Sequence, residues 1–178
     1  MKPTFSLSKL FLRFLVYRFA ATLAMTTMLL SYSLSQEHQN LVIQTLNGNE
    51  VSLKELTSKG PVLVNFWALW CEPCKLEMKQ LQSIYNQYKD KGFSIVAINQ
   101  DNQKSVSKVS SYISSQEYSF YISTDSDGEI AQQFNVQNIP FSLLFDTNGM
   151  IVYKALGYKP GDEKKIEEEL EILFSTKE

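Results

Sequence analysis

Two hydrophobic periods alternate along the chain. From residue 41 the run LVIQTL reads as a strand. Asn47-Gly48 then marks a tight turn, and Glu50 to Leu53 resumes the strand. Ser52 and Glu55 have the spacing of a capping box, which predicts a short helix ending near Gly60. Pro61 opens VLVNFWA, a nearly continuous apolar run of the kind that fits a strand covered on both faces, as in a parallel sheet. A helical period follows from about Pro73 to Lys89. It places Met78, Leu81, Tyr85 and Tyr88 on the core side, and Gly92 supplies the stop. Phe93 to Asn99 is a further apolar strand. Residues 103–116 read as a helix with Val106, Val109 and Ile113 on one face. Ser119 to Ile122 is a short strand, and Asp125 to Gly128 turns into a short helix through Phe134. Phe141 to Phe145 and Ile151 to Leu156 flank the turn Thr147-Asn148-Gly149. After a loop from Gly157 to Gly161, a last helix from about Asp162 to Phe174 turns Ile166, Leu170 and Leu173 inward. Strand alternating with helix, then a hairpin, then a terminal helix predicts an α/β sandwich around a central mixed sheet. The pattern gives one such domain, residues 36–178, and no repeat.

The first 35 residues follow another rule. Lys2, Lys9, Arg13 and Arg18 are basic and no residue there is acidic. A mostly apolar run then extends from Phe19 to Leu34, and Ser33-Leu34-Ser35 offers small residues to a signal peptidase. Residues 1–35 are therefore expected to be a signal peptide, with Gln36 as the mature N-terminus, or an uncleaved membrane anchor. The run is short against the roughly 20 residues of a comfortable span, while the apolar stretch from Leu10 to Tyr17 favours an anchor. A buried first helix fits poorly, because its charges would all have one sign. Either outcome exports the body, to the periplasm or the outer face of a cytoplasmic membrane, with membrane contact only through residues 1–35.

Charge sharpens the contrast. The whole chain has 17 basic and 19 acidic residues, so the body keeps 13 against 19, a net charge of −6. All its basic residues are lysines. An acidic body without arginine is a poor match for phosphate backbones, and no nucleic-acid partner is expected. The composition, 44% hydrophobic and 20% charged, is that of an ordinary globular protein.

The chain has two cysteines, Cys71 and Cys74. A disulfide across so small a loop restricts the unfolded chain little, so a chemical role is the better reading. The pair lies where a buried strand gives way to a helix. Carboxyl ends of strands in open α/β sheets carry functional groups, and a helix N-terminus stabilises a thiolate through its dipole and free N–H groups. Pro73 suits the first helical turn. On this reading Cys71 is the exposed attacking thiolate. Cys74, one turn further in, is the buried thiol that resolves the mixed disulfide. Three other readings compete. Zinc needs four ligands, and the lone histidine, His38, is far away. A c-type haem normally wants histidine where Lys75 stands. An inert structural pair is the third.

The segment WALWCEPC resembles the W-x-x-W-C-x-x-C active site of the thioredoxin superfamily. More closely, the chain is similar to that superfamily's exported TlpA/ResA-like branch. NFWALWCEPC, the following KLEM, FSIVAIN with Asp101 after it, and VQNIPFSLLFDTNGMIV match in order over residues 41–174. The resemblance implies a thioredoxin-like three-layer sandwich with helices on both faces of the mixed sheet. It makes Cys71 the nucleophile and Cys74 the resolving cysteine. It makes Pro140, after Ile139, a cis-proline beside the pair, a bond rare enough to signal function; a strand-opening trans proline is the alternative. A cis bond there would expose the Ile139 backbone to a substrate strand. Trp70, Glu72 and Pro73 complete the substrate-facing set, while Trp67 belongs to the core. Glu77 matches the acidic residue that the branch carries in its active-site helix. Three residues after Cys74, it could exchange protons with the thiols; an ordinary solvated glutamate is the alternative. Asn65 stands where thioredoxins proper carry a buried aspartate, and Asn138 where glycine is common before the X-Pro pair.

The expected activity is thiol–disulfide exchange, with no cofactor beyond the Cys71–Cys74 pair. The expected partners are exported disulfide-containing proteins, apocytochrome c among them, and a membrane thiol donor that supplies electrons. A peroxiredoxin-like thiol peroxidase is one alternative, although such enzymes set their cysteine in a threonine-containing loop. A non-catalytic Cu(I) carrier is another, disfavoured by the lack of a nearby histidine or methionine cluster.

Overall fold

The computed structural model describes Tyr17, Arg18, Thr22, Met25, Thr26 and residues 41–175. Two units are distinguished, Met1–Glu37 and His38–Glu178. Gln36, His38 and the rest of the expected leader lie outside the described residues. Among the described residues no helix is long and apolar enough to cross a membrane.

In the second unit the elements run β1 (Val42–Gln44), β2 (Glu50–Ser52), α1 (Leu53–Lys59), β3 (Val62–Trp67), α2 (Glu72–Tyr88), β4 (Ser94–Asn99), α3 (Val106–Gln116), β5 (Tyr121–Thr124), α4 (Glu129–Gln133), β6 (Phe141–Phe145), β7 (Ile151–Leu156) and α5 (Glu163–Ser175). Short 3₁₀ turns, Lys89–Lys91 and Gln103–Ser105, follow α2 and precede α3. Five strands form the central sheet in the order β5-β4-β3-β6-β7. β3 runs parallel to β4 and antiparallel to β6, and all six of its residues are buried. The apolar run after Pro61 is the doubly covered strand expected of it, and the sheet is the mixed one expected from the order of strands, helices and hairpin.

Side chains alternate across that strand and define two cores. Leu63 and Trp67 face one way, where α2 (Met78, Leu81, Ile84), Val109 of α3, and Ile166 and Leu170 of α5 cover them. Val62, Val64 and Phe66 face the other way, against the β1–β2 hairpin, α1, Ala131 of α4 and Phe134 at its end. Helices on both faces make the three layers. The starts of β3 and β4 are brought together by two glycines: a Cβ on Gly60 would lie 2.3 Å from the Gly92 carbonyl oxygen.

Two expectations shift. Ser52 ends β2 in extended conformation, paired with Val42, and makes no side-chain cap to α1. Glu55 instead binds Lys59 at 2.7 Å, so the capping box is not formed. The strand expected at Ser119–Ile122 runs two residues later. The Ser119 N–H is taken by the Gln82 side chain at 2.9 Å, and the ladder with β4 begins at Tyr121.

Candidate active site

β3 ends at Trp67 and α2 begins at Glu72, so the intervening loop sits at the carboxyl end of the central strand. Cys71 is the N-cap of α2; its sulfur accepts the Cys74 N–H at 3.3 Å, and its own N–H reaches the Ala68 carbonyl at 3.2 Å. Cys71 and Cys74 form a disulfide. Cys71 is 6% exposed and Cys74 fully buried. The order matches the expected roles, but Cys71 is less open than an exposed thiolate, because the disulfide folds its sulfur against the first turn. Trp70 stands out at 69% exposure, and Glu72 and Pro73 are exposed beside it. Lys75 pairs with Glu72, an ion pair near solvent of small energetic weight.

Asp101 fixes this loop from behind. Its buried carboxylate accepts the Leu69 N–H at 2.7 Å and the Asn99 amide at 2.9 Å, and its own N–H donates to Asn99 Oδ1 at 3.0 Å. The Gln100 N–H donates to the Trp67 carbonyl at 2.8 Å, tying the ends of β3 and β4.

Glu77 is not a solvated glutamate. It is buried under the sheet, one turn beyond Cys74. Asn65 Nδ2 donates to Oε2 at 3.0 Å and Ser142 Oγ donates to Oε1 at 2.9 Å. Burial pushes the carboxyl up to about 7. The two hydrogen bonds oppose that rise, and the charge of Asp162 adds to it. A carboxyl poised there can take or give a proton near neutral pH. The Ile139–Pro140 peptide is cis, as the resemblance implied. Pro140 is buried, its carbonyl accepts the Gly157 N–H at 2.8 Å, and Ile139 packs against the core cluster that contains both cysteines.

The Redoxin family profile matches residues 33–170. A thiol-disulfide oxidoreductase ResA of Bacillus cereus is 33% identical over 124 residues, 70% of each chain. That of Bacillus subtilis (strain 168) is 32% identical over 127 residues, 71% of this chain and 69% of the relative. The chain belongs to the Redoxin family. Its fold agrees with solved members of the thioredoxin-like class. StoA from Bacillus subtilis superposes with a TM-score of 0.59 at 26% identity, covering 71% of this chain and 93% of StoA. The thioredoxin domain of a thiol-disulfide oxidoreductase from Bacteroides vulgatus gives 0.61 at 29% identity, covering 73% and 92%. The protein is a thiol–disulfide oxidoreductase of the ResA-like kind.

For this Redoxin-family chain the structure brings Cys71, Cys74 and Glu77 onto one helix. It leaves Trp70, Glu72 and Pro73 on the surface beside the disulfide and places Ile139 and Pro140 just before β6. The residue that the sequence reading passed over is Ser142. Its one signal was a hydroxyl inside the apolar strand FSLLF, where a buried polar group needs a partner.

Proposed function

We propose that this oxidoreductase works as a reductant outside the cytoplasm. Electrons from a membrane thiol donor keep Cys71 and Cys74 reduced, and the protein passes them to disulfides of exported proteins, apocytochrome c being one candidate. Residues 1–35 act as a cleaved signal or as the anchor, and the body works at the outer face of the membrane. The observation that carries the reading is a buried carboxyl, Glu77, behind a C-x-x-C pair at a helix N-terminus. The Cys71 thiolate attacks the substrate disulfide, forms the mixed disulfide and releases one substrate thiolate. The Cys74 thiolate then attacks Cys71 Sγ, closes the intramolecular disulfide and releases the second. Two electrons pass to the substrate, and the protein is left oxidised. Glu77 accepts the Cys74 proton and returns it when the pair is reduced again. Trp70, Glu72 and Pro73 form one side of the substrate contact, and the backbone at Ile139–Pro140 the other.

The first test is the reduction potential of the Cys71–Cys74 pair, measured on the body from Gln36 onward in thiol redox buffers. A reductant of exported disulfides is expected near or below about −250 mV. A value near about −120 mV would instead mark a disulfide donor and reverse the proposed direction.

A further inference from the structure

Glu77 does not meet the sheet through one contact. Asn65 lies on β3 and Ser142 directly opposite it on β6. Asn65 Nδ2 donates both to Glu77 Oε2, at 3.0 Å, and to Ser142 Oγ, at 2.9 Å. The Ser142 hydroxyl donates in turn to Glu77 Oε1, at 2.9 Å. The three side chains close a ring, and all three are buried, Asn65 and Ser142 completely. The amide orientation follows from the carboxylate: reversed, Asn65 Oδ1 would face an anion.

Two members of the ring are fixed in their use. An amide Nδ2 can only donate, and the charged carboxylate can only accept. A hydroxyl does either. While Glu77 is charged, Ser142 gives it a proton to share. When Glu77 takes up a proton, Ser142 Oγ has a second lone pair that can accept the carboxyl O–H, its own hydrogen then turning out of that contact. Ser142 also belongs to the strand that begins just after Pro140, two residues from the cis bond. It therefore links the substrate-facing strand to the acid behind the dithiol.

We propose that Ser142 is a positioning residue for the dithiol chemistry: its hydroxyl holds the Glu77 carboxyl toward β6 and sets the pH range in which that carboxyl exchanges protons. This rests on the proton-carrying reading of Glu77 given above. The other groups that bear on Glu77 come from β7 and the loop that leads from it into α5. They are Asp162, which precedes α5, Tyr153 on β7, and Tyr158 in the loop between them. Asn65 and Ser142 are neutral. Removing the hydroxyl costs the charged form a charge-assisted hydrogen bond and the neutral form a weaker one, so the carboxyl holds its proton to higher pH.

The test follows the Glu77 carboxyl directly in the oxidised protein. Carbon-13 at the glutamate δ position is titrated, and the Glu77 signal is the one lost in Glu77→Gln. Ser142→Ala should move its midpoint up by about one pH unit, and Ser142→Thr should return it to the wild-type position. A midpoint unmoved in Ser142→Ala would overturn the proposal. Should the alanine variant not fold, Ser142→Thr and Ser142→Val form a second pair of equal shape, with and without the hydroxyl, and carry the same expectation. In the reduced protein, the pH profile of exchange with a model disulfide should shift upward in Ser142→Ala and show no such shift in a Glu77→Gln background. A wild-type profile for Glu77→Gln would sink the reading of Glu77 and this proposal with it. A changed Glu77→Gln profile beside an unchanged Ser142→Ala profile would sink the proposal alone.

Discussion

At the scale of single residues, the consequence of burying Glu77 can be measured without any redox chemistry. In the disulfide form neither cysteine titrates, which isolates the carboxyl. Its folded value, about 7, lies above the ordinary glutamate value of 4.5. Between those values the folded protein keeps a proton that the unfolded chain has released. The contribution is therefore fully present below about pH 4.5 and lost as the pH rises through about 7. The wild-type advantage over Glu77→Gln should fall across that window by about 3 kcal/mol, read from urea unfolding at stepped pH. Parallel curves for the two proteins would mean that the buried carboxyl does not titrate there. Cys71 and Cys74 were legible from their spacing where a buried strand meets a helix, while Pro140, Asn65 and Glu77 were legible only through the family resemblance. Ser142 was not. A serine acquires meaning here only through the register that sets it opposite Asn65, and register between β3 and β6 spans 77 residues of chain.

Elements position what residues perform, and the loop between β3 and α2 depends on Asp101. Asp101→Ala should leave the Leu69 N–H without its acceptor and lower stability by about 1–3 kcal/mol. The Leu69 amide should then exchange with solvent faster than in the wild type; unchanged protection would show that the carboxylate does not hold the loop. Most elements were readable from hydrophobic period alone: β3, α2, β4 and α5 fall within about two residues of expectation. The misreadings share one cause. Ser52 is drawn into the β1–β2 pairing and makes no cap, and the Ser119 N–H is taken by Gln82 rather than by the ladder. A capping box is a local rule, and the β1–β2 pairing that overrides it is not. Strand order was equally silent in the periodicity; the family resemblance supplied the three layers, and the order β5-β4-β3-β6-β7 came from the structure.

For the whole molecule the dominant contrast lies between residues 1–35 and the rest of the chain. Four basic residues and no acid occupy residues 1–35, against a net −6 over the rest. If the body is exported, a membrane-impermeant maleimide added to intact cells after mild reduction should label Cys71 fully; labelling that waits for lysis would place the protein inside. The same body carries a second asymmetry, in its sheet. On one flank β5 is partly shielded, since the Leu46 N–H donates to the Ile122 carbonyl at 2.8 Å and Thr45 bridges Ser123. On the other flank, among the described residues, β7 pairs only with β6 and presents Lys154 near its centre. A sheet with one flank obstructed can accept a foreign strand once but cannot pass the template on. Self-association along this route would stop at a pair related by a two-fold axis, and the lysines meeting across that axis would repel one another. The open flank thus admits one added strand without propagating a sheet.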